Sequence, residues 1–348
     1  MKFQKNDNGK LKIVLSIGDE SGIGPEIILK ALSSQEIAEE IEILVVGSKK
    51  ILQKEYKNLK SLGIKNIKDP DNFQIYNLEI PFESNNSKAN YGDSSFHYLT
   101  KAIEIVKNCP NSALVTGPIC KKSWSTAGHK FSGQTEVLAE CCNAKHVGML
   151  FTAKSPFTDW RFNTLLATTH IALSDVPKQL NKSLIHSKLD LLYEFSNNYI
   201  SKPTFKIAGI NPHAGEEGLL GTDEKDWLNE AIFTWKAKHK GINIIGPISP
   251  DTCWNSSSKA WREHEAEKHD GILAMYHDQG LIPMKSIALN YSVNTTLGLP
   301  FVRTSPDHGT GFDIAGQGIA QSQSMVEAIK NAIELTRLRK KSNLLNSH

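Results

Sequence analysis

Three histidines, His170, His213 and His277, each follow a short apolar run that predicts a buried strand. The runs are Leu165–Ala167, Ile207–Ile210 and Ile272–Ala274. Open α/β sheets bind their ligands at the carboxyl ends of strands, so the three side chains can converge on one crevice. Three imidazoles that leave one coordination position open hold a divalent ion as a catalytic site does. The placement therefore predicts a metal-dependent enzyme, although one such histidine alone is more often a hydrogen-bonded loop residue.

Loops containing glycine and proline follow further predicted strands and would open on the same crevice. They are Gly18–Glu26, Thr116–Lys121 and Gly246–Thr252. The first is not a G-x-G-x-x-G fingerprint, and an ordinary strand-to-helix turn explains it equally well. Gly133–Glu136 begins a predicted helix whose free amides suit a phosphate or a carboxylate, although capping alone would account for Thr135.

The segment Tyr276–Gly318 is the densest in polar and charged groups. It contains Lys285, Asn294, Arg303, Asp307, His308 and Asp313. Lysine and arginine spaced in this way can neutralise a phosphate or a carboxylate. For any one of these cations taken alone, a solvated position on the surface is the simpler interpretation.

Length and composition are typical of a globular protein of about two domains. The chain has 348 residues, of which 39% are hydrophobic and 22% are charged. Its net charge of +3 is too small to indicate a nucleic-acid-binding surface. Met1–Asn8 lacks the apolar core of a signal peptide, and no apolar run approaches the length of a membrane span. The five cysteines form no C-x-x-C pair and are expected to be reduced, which favours the cytoplasm.

Predicted strands and helices alternate along most of the chain, which favours an α/β fold with a largely parallel sheet. The predicted elements are strands at Lys12–Ile17, Ile41–Val46 and Ala113–Thr116, and helices that begin at Pro25 and cover Ser48–Leu62 and Ser95–Lys107. The alternation changes at Val147–Thr152 and Asn163–Thr168. These are two strands joined by one loop, and we expect them to pair antiparallel.

Taken together, these motifs closely resemble the 4-hydroxythreonine-4-phosphate dehydrogenase family of pyridoxal phosphate biosynthesis. The matching blocks follow the family's order over nearly the whole chain: Gly18–Glu26, Thr116–Lys121, Gly133–Glu136, Thr169–His170, Asn211–Gly218, Gly246–Thr252, Met275–Lys285 and Val293–Gly318. The last two blocks are the most specific. His308–Gly316 also resembles the dinucleotide-adenine loop of the isocitrate and isopropylmalate dehydrogenases, which bind their cofactor without a Rossmann fingerprint.

The resemblance implies a two-domain α/β/α sandwich of the isocitrate/isopropylmalate dehydrogenase type. Its sheets would be mixed and mostly parallel, with the active site in the interdomain cleft. One domain would contain residues 1–127 and 296–348, including the cofactor loop. The other would contain residues 128–295, with the metal and dimer contacts. The family also implies a homodimer whose active sites lie near the subunit interface.

The resemblance also assigns roles to individual residues. The ligands of one divalent ion (zinc, magnesium or cobalt) would be His170, His213 and His277. The phosphorylated amino-acid substrate would contact Gln134, Thr135, Lys285, Asn294 and Arg303. The cofactor, NAD with NADP as the alternative, would contact His308, Gly309, Asp313 and Gly316. For the general base, Asp251 and Lys285 are both candidates.

Two positions depart from the family pattern. Many members have histidine where this chain has Gln134, and the usual residue at Cys120 is asparagine. Glutamine still donates a hydrogen bond to phosphate but carries no charge. Neither change removes a predicted metal ligand, so we expect activity to survive, and related four-carbon acid phosphates stay open as substrates.

The implied reaction is the NAD-dependent oxidation of 4-phosphooxy-L-threonine to 2-amino-3-oxo-4-phosphooxybutanoate, which decarboxylates to 3-amino-2-oxopropyl phosphate. The nearest alternative is a related dehydrogenase of a four-carbon sugar-acid phosphate, threonate or erythronate 4-phosphate. An acyltransferase of similar fold would not need three clustered histidine ligands. A non-catalytic metabolite-binding protein would have no reason to combine metal, phosphate and dinucleotide features.

Overall fold

Strands and helices alternate along the chain, as the sequence predicts. The computed structural model describes residues 10–37, 41–81 and 86–345, with the backbone alone for 340–345. Met1–Asn8, in which the sequence predicts no signal peptide, lies outside the described residues. Among the described helices, none combines the length and the apolar character needed to cross a membrane.

The described residues form eleven strands and eleven α-helices. The strands are β1 (Lys12–Ser16), β2 (Glu42–Gly47), β3 (Gln74–Asn77), β4 (Ser112–Thr116), β5 (Gly148–Lys154), β6 (Arg161–Leu166), β7 (Thr204–Ala208), β8 (Asn243–Ile248), β9 (Gly271–Ala274), β10 (Val293–Leu297) and β11 (Val302–Pro306). The helices are α1 (Gly24–Ala31), α2 (Lys49–Ser61), α3 (Ser87–Lys107), α4 (Lys121–Thr126), α5 (Gln134–Cys142), α6 (Val176–Gln179), α7 (Lys182–Ser196), α8 (Asn229–Lys238), α9 (Asn255–Ala260), α10 (His277–Ala288) and α11 (Gln323–Leu345).

The fold divides into two units, and the first contains the described residues within 10–145 and 299–340. Its strands lie in the order β3-β2-β1-β4-β11, and each neighbouring pair is parallel. β1 and β4 are buried along their whole length, as expected of central strands in a parallel sheet covered by helices. The carboxyl ends of β1, β4 and β11 therefore share one edge, and the loops that follow them are neighbours.

The second unit contains residues 146–298 and 341–345. Its strands lie in the order β10-β5-β6-β9-β7-β8. β5 is antiparallel to both β10 and β6, which confirms the antiparallel pair predicted from the sequence. From β6 to β8 the pairing is parallel. Buried aromatic side chains, among them Trp160, Phe162 and Trp261, form part of this unit's core.

Helix α3 begins earlier than the sequence predicts, at Ser87 instead of Ser95. The Asn86 side chain caps it by accepting a hydrogen bond from the Lys88 amide at 3.1 Å. The first residues of the helix are exposed, so they contribute no apolar periodicity from which the sequence could locate its start. The predicted fold class, a mixed and mostly parallel α/β fold, is confirmed.

Candidate active site

Four candidate residues follow four neighbouring parallel strands of the second unit. His170, His277, His213 and Asp251 come after β6, β9, β7 and β8, which is the order in which these strands lie side by side. The carboxyl ends of parallel strands share one edge of a sheet. The four residues are therefore distributed along a single edge, where the sequence places the histidines.

His170 and His277 are brought together at this edge. Their ring centroids are 5.5 Å apart, and Nδ1 of His277 lies 3.2 Å from a carboxylate oxygen of Asp278. With His213 they do not form a group whose ligand atoms all lie within 4.8 Å of one another in the described part of one chain. Of the three predicted ligands, the structure therefore brings His170 and His277 side by side.

The chain at His213 has an unusual backbone. Five successive residues, 213–217, have φ values between 41° and 82°, so this turn is left-handed. Gly215 adopts this conformation easily, whereas each of the other four residues costs roughly 1–2 kcal/mol. Such strain persists only where the surroundings hold the backbone in place, and it is common at functional sites.

Glu224 holds the chain just before this turn. It is buried, and its Oε1 accepts hydrogen bonds from the amides of Ile210 and Asn211 at 2.7 and 2.8 Å. Its Oε2 accepts a third hydrogen bond from Nδ2 of Asn211 at 2.9 Å. Bonds to a charged acceptor are stronger than neutral ones. Glu224 therefore fixes the segment that presents His213, a role that sequence reasoning missed.

Gln279 is a second buried residue that sequence reasoning missed. Its Nε2 donates to the carbonyl oxygen of Gly209 at 2.8 Å, and its Oε1 accepts from the amide of Met275 at 2.6 Å. It thus joins the segment after β7 to the segment after β9, close to His213 and His277 along the chain. In the sequence, only its position two residues after His277 could have indicated this bridging role.

Asp251 and Lys285, the two candidates for the general base, have different surroundings. The Asp251 carboxylate accepts a hydrogen bond from the Ser249 hydroxyl. This bond, with a smaller contribution from nearby His213, lowers the pKa of Asp251. Asp251 is therefore charged at neutral pH. Lys285 is exposed on the last turn of α10.

Asn294 lies on β10 and offers a hydrogen-bond acceptor. Its Oδ1 is buried and has no hydrogen-bond partner among the described residues. Leaving a buried amide oxygen unsatisfied costs free energy, so such an atom in a native protein needs an explanation. An N–H or O–H group of a bound molecule would satisfy it.

In the first unit, the loops after β1, β4 and β11 touch one another. Asp19 donates its amide hydrogen to Pro118 O at 2.9 Å, and Ile23 donates to Thr310 O at 2.8 Å. Gly18 has φ +77°, and a Cβ there would lie 2.3 Å from Pro118 O. Glycine is therefore required at this position for the first two loops to approach so closely.

Arg303 on β11 is the central cation of this edge, with only 3% of its surface exposed. Its Nη2 donates to Thr116 Oγ1 at 2.6 Å and to Gln134 Oε1 at 2.9 Å. Gln134 in turn donates from Nε2 to Gly117 O at 2.9 Å. Burial lowers the pKa of Arg303 to about 10, so it stays charged at neutral pH. The half-buried Thr135 follows in the first turn of α5, which no side chain caps.

The predicted cofactor loop follows β11 in the same unit. Asn58 Nδ2 donates to Gly316 O at 2.9 Å, which holds the end of the loop against α2. His308 is half-buried, with Nδ1 3.0 Å from Gly309 O, and its Nε2 has no hydrogen-bond partner among the described residues. The other predicted contacts are exposed: Gly309, Asp313 and Gly316. The loop therefore presents accessible backbone and one buried ring nitrogen.

Comparison with known proteins gives the same family as the sequence motifs. The sequence model of the pyridoxal phosphate biosynthetic protein PdxA family matches residues 39–332. A 4-hydroxythreonine-4-phosphate dehydrogenase from Synechococcus sp. (strain RCC307) is 45% identical over 93% of this chain and 99% of its own length. A relative from Oceanobacillus iheyensis, named for D-threonate 4-phosphate dehydrogenase activity, is 35% identical over 93% of this chain and 97% of its own.

A solved structure is similar over the same extent. The crystal structure of 4-hydroxythreonine-4-phosphate dehydrogenase from Klebsiella pneumoniae has a TM-score of 0.76 and 30% sequence identity. The match covers 94% of this chain and all of the other chain (100%). The likeness therefore extends to both units of the fold.

The hydrogen bonds of Glu224 generate a prediction about local stability. Glu224→Gln keeps the size of the side chain but replaces two charged acceptors with one neutral oxygen and a donor. Hydrogen bonds to charged groups are worth about 1.5–3 kcal/mol, and 1.4 kcal/mol is a factor of ten. Hydrogen exchange measured by NMR should show the amides of Ile210 and Asn211 exchanging roughly ten to a hundred times faster.

Glu217→Gln is the matched control, because Glu217 is exposed within the left-handed turn itself. It should leave both exchange rates unchanged. Equal exchange in Glu224→Gln and the native protein would contradict the role of Glu224 in fixing this segment.

Proposed function

The chain belongs to the PdxA family of pyridoxal phosphate biosynthetic proteins, and we propose that it oxidises 4-phosphooxy-L-threonine with NAD. The product, 2-amino-3-oxo-4-phosphooxybutanoate, then loses carbon dioxide to give 3-amino-2-oxopropyl phosphate. The observation that carries the proposal is the 45% identity to a relative named for this activity, over almost the full length of both chains. The relative named for D-threonate 4-phosphate is less similar, at 35%.

We assign the substrate phosphate to Arg303 and the start of α5. Arg303 keeps its charge at neutral pH, and a guanidinium grips an oxyanion with parallel hydrogen bonds. The uncapped first turn of α5 supplies free amides and the positive end of the helix dipole, beside the Thr135 hydroxyl. Gln134 acts on the phosphate through Arg303, because its amide oxygen already accepts from that guanidinium.

We assign the amino-acid end of the substrate to the second unit. The buried Oδ1 of Asn294 can accept a hydrogen bond from the substrate's amino or hydroxyl group. Lys285 is a candidate for the substrate carboxylate as well as for the general base. The lowered pKa of Asp251 keeps it deprotonated but makes it a weaker proton acceptor than a carboxylate with an ordinary pKa.

His170, His213 and His277 would hold one divalent ion, such as zinc, magnesium or cobalt. Imidazole is the ligand type that such an ion accepts, and the rings of His170 and His277 already lie 5.5 Å apart. When bound, the ion would lower the pKa of the substrate's hydroxyl group and stabilise negative charge on that oxygen.

We assign the NAD adenosine to the cofactor loop, with His308, Gly309, Asp313 and Gly316 as contacts. The contact between the loops after β1 and β11, Ile23 to Thr310, supports one continuous binding surface in the first unit. His308–Gly316 contains no lysine or arginine that could bind a 2′-phosphate, so we expect NAD to be preferred over NADP.

We further propose a homodimer that works in the cytoplasm. Several large apolar side chains of the second unit are exposed, which is typical of residues that a partner covers: Phe157, Leu219, Phe233, Ile282 and Leu289. All five cysteines are free, which suits a reducing compartment. Sedimentation velocity tests whether the chain is a dimer, and microscopy of the tagged chain tests whether it is cytoplasmic.

One assay tests the proposed reaction. In the forward direction the substrate's C3–H bond breaks, its hydride passes to NAD, and the hydroxyl proton passes to a base. NADH absorbance should therefore rise with 4-phosphooxy-L-threonine, and kcat/KM should be higher with NAD than with NADP. Threonate and erythronate 4-phosphates are the comparison substrates. A higher kcat/KM on either of them would assign the chain to the alternative reaction.

The histidine assignment predicts loss of metal together with loss of turnover. His213→Ala should reduce the bound divalent ion, measured by mass spectrometry of dialysed protein, and abolish NADH formation without changing the circular dichroism spectrum. His264→Ala is the matched control, because His264 is exposed and lies on none of the predicted strand ends. Retention of both metal and turnover in alanine variants of all three histidines would exclude the site.

The assignment of Arg303 predicts a selective loss on the phosphorylated substrate. Arg303→Lys keeps a cation but loses the planar fork, so kcat/KM should fall roughly ten- to a hundredfold. Arg262→Lys, at an exposed position, should have no effect. An equal fall on unphosphorylated 4-hydroxy-L-threonine would show that Arg303 does not contact the phosphate.

A further inference from the structure

Asp93, His97 and His129 form a cluster in the first unit, apart from the strand-end histidines. Asp93 and His97 are four residues apart on α3 and so lie on the same face of that helix. His129 comes from the segment between α4 and α5. One ring nitrogen of each histidine and one oxygen of Asp93 all lie within 4.8 Å of one another. No role in the proposed reaction uses these three residues.

The distances suit a tetrahedral zinc-type ion. Nε2 of His129 is 2.8 Å, and Nδ1 of His97 is 3.4 Å, from Oδ1 of Asp93. Two ligands about 2.1 Å from a tetrahedral ion are about 3.4 Å apart, so small movements bring all three into the coordination shell. His97 would give up its hydrogen bond to Asp93 O, but this ring is exposed and water replaces that bond.

The two segments that supply the ligands are already fixed to each other. The His129 ring stacks on Phe96, with centroids 3.8 Å apart and planes at 10°. The His129 amide donates to Trp124 O at 2.9 Å. Trp124 itself is buried, and its Nε1 donates to Ser95 Oγ of α3 at 2.8 Å. An ion would therefore bind a preorganised set of ligands, which reduces the entropy lost on binding.

We propose that Asp93, His97 and His129 bind a divalent ion of the zinc type, with water completing its coordination. Two imidazoles and one carboxylate, with positions left open, are a ligand set that such metals accept. The ion would fasten the segment 127–133 to α3. That segment leads directly into Gln134 and Thr135 at the start of α5, so the metal would fix the backbone that precedes these two residues.

Counting ions tests this proposal separately from the strand-end site. Native protein, His97→Ala, His213→Ala and His264→Ala are dialysed against Zn²⁺ alone, and zinc per chain is measured. If both sites bind, the expected values are two, one, one and two ions. Zinc affinity at this cluster should fall about a hundredfold or more without His97, since losing even an outer partner of a metal ligand costs up to that much.

A native count equal to that of His97→Ala would show that the cluster is a hydrogen-bonded Asp93–His129 pair that binds no ion. If the native chain binds one ion and only His213→Ala loses it, this proposal fails while the proposed dehydrogenase site stands. If the native chain binds one ion and only His97→Ala loses it, the site at Asp93, His97 and His129 stands and the proposed strand-end metal site fails. His97 is exposed, so its alanine variant should fold, and the isosteric Asp93→Asn must give the same reduced count.

Limited proteolysis tests whether the ion fastens the segment 127–133 to α3. Lys130 is exposed within the segment 127–133, so trypsin can cleave after it. Zn²⁺ should slow this cleavage in the native chain and in His213→Ala, but not in His97→Ala. Equal rates with and without Zn²⁺ in the native chain would overturn the assignment of the ion to this segment.

Discussion

Parallel pairing of the strands is the constraint on which the candidate site depends. Strands such as β1 and β4 are buried throughout, so they have no room for unpaired polar side chains. Most of the candidate site residues therefore lie in the segments that follow the strands, while Asn294 and Arg303 lie within β10 and β11. Parallel pairing then brings these segments to one edge of each unit, which distributes His170, His277 and His213 along the edge of the second unit and brings the loops after β1, β4 and β11 together in the first.

The local sequence pattern was sufficient to predict strands and helix starts that depend only on residues near them along the chain. Short apolar runs predicted β1, β2 and β4 to within a residue or two, and Pro25 lies in the first turn of α1 as expected. The antiparallel β5–β6 pair was predictable because one loop joins the two strands. The placement of His170, His213 and His277 at strand ends follows from the same short-range patterns.

The sequence could not predict contacts between residues that are distant along the chain. Gln134 and Arg303 are 169 positions apart, and nothing in either segment indicates that one accepts from the other. The left-handed turn at 213–217 was also missed, because most of its residues ordinarily avoid that conformation. The backbone just before this turn is held by Glu224, which lies outside the Asn211–Gly218 block.

The family resemblance implies histidine in many members at the position of Gln134, and the bond between Gln134 and Arg303 shows what the amide contributes there. A neutral imidazole has one donor and one acceptor, so it could bond to Gly117 O and Arg303 at once. On protonation near its ordinary pKa of about 6.5, it would lose the acceptor and repel the guanidinium. The glutamine amide offers the same pair of bonds and does not titrate. Gln134 can therefore keep its bond to Arg303 over the pH range in which a histidine would titrate.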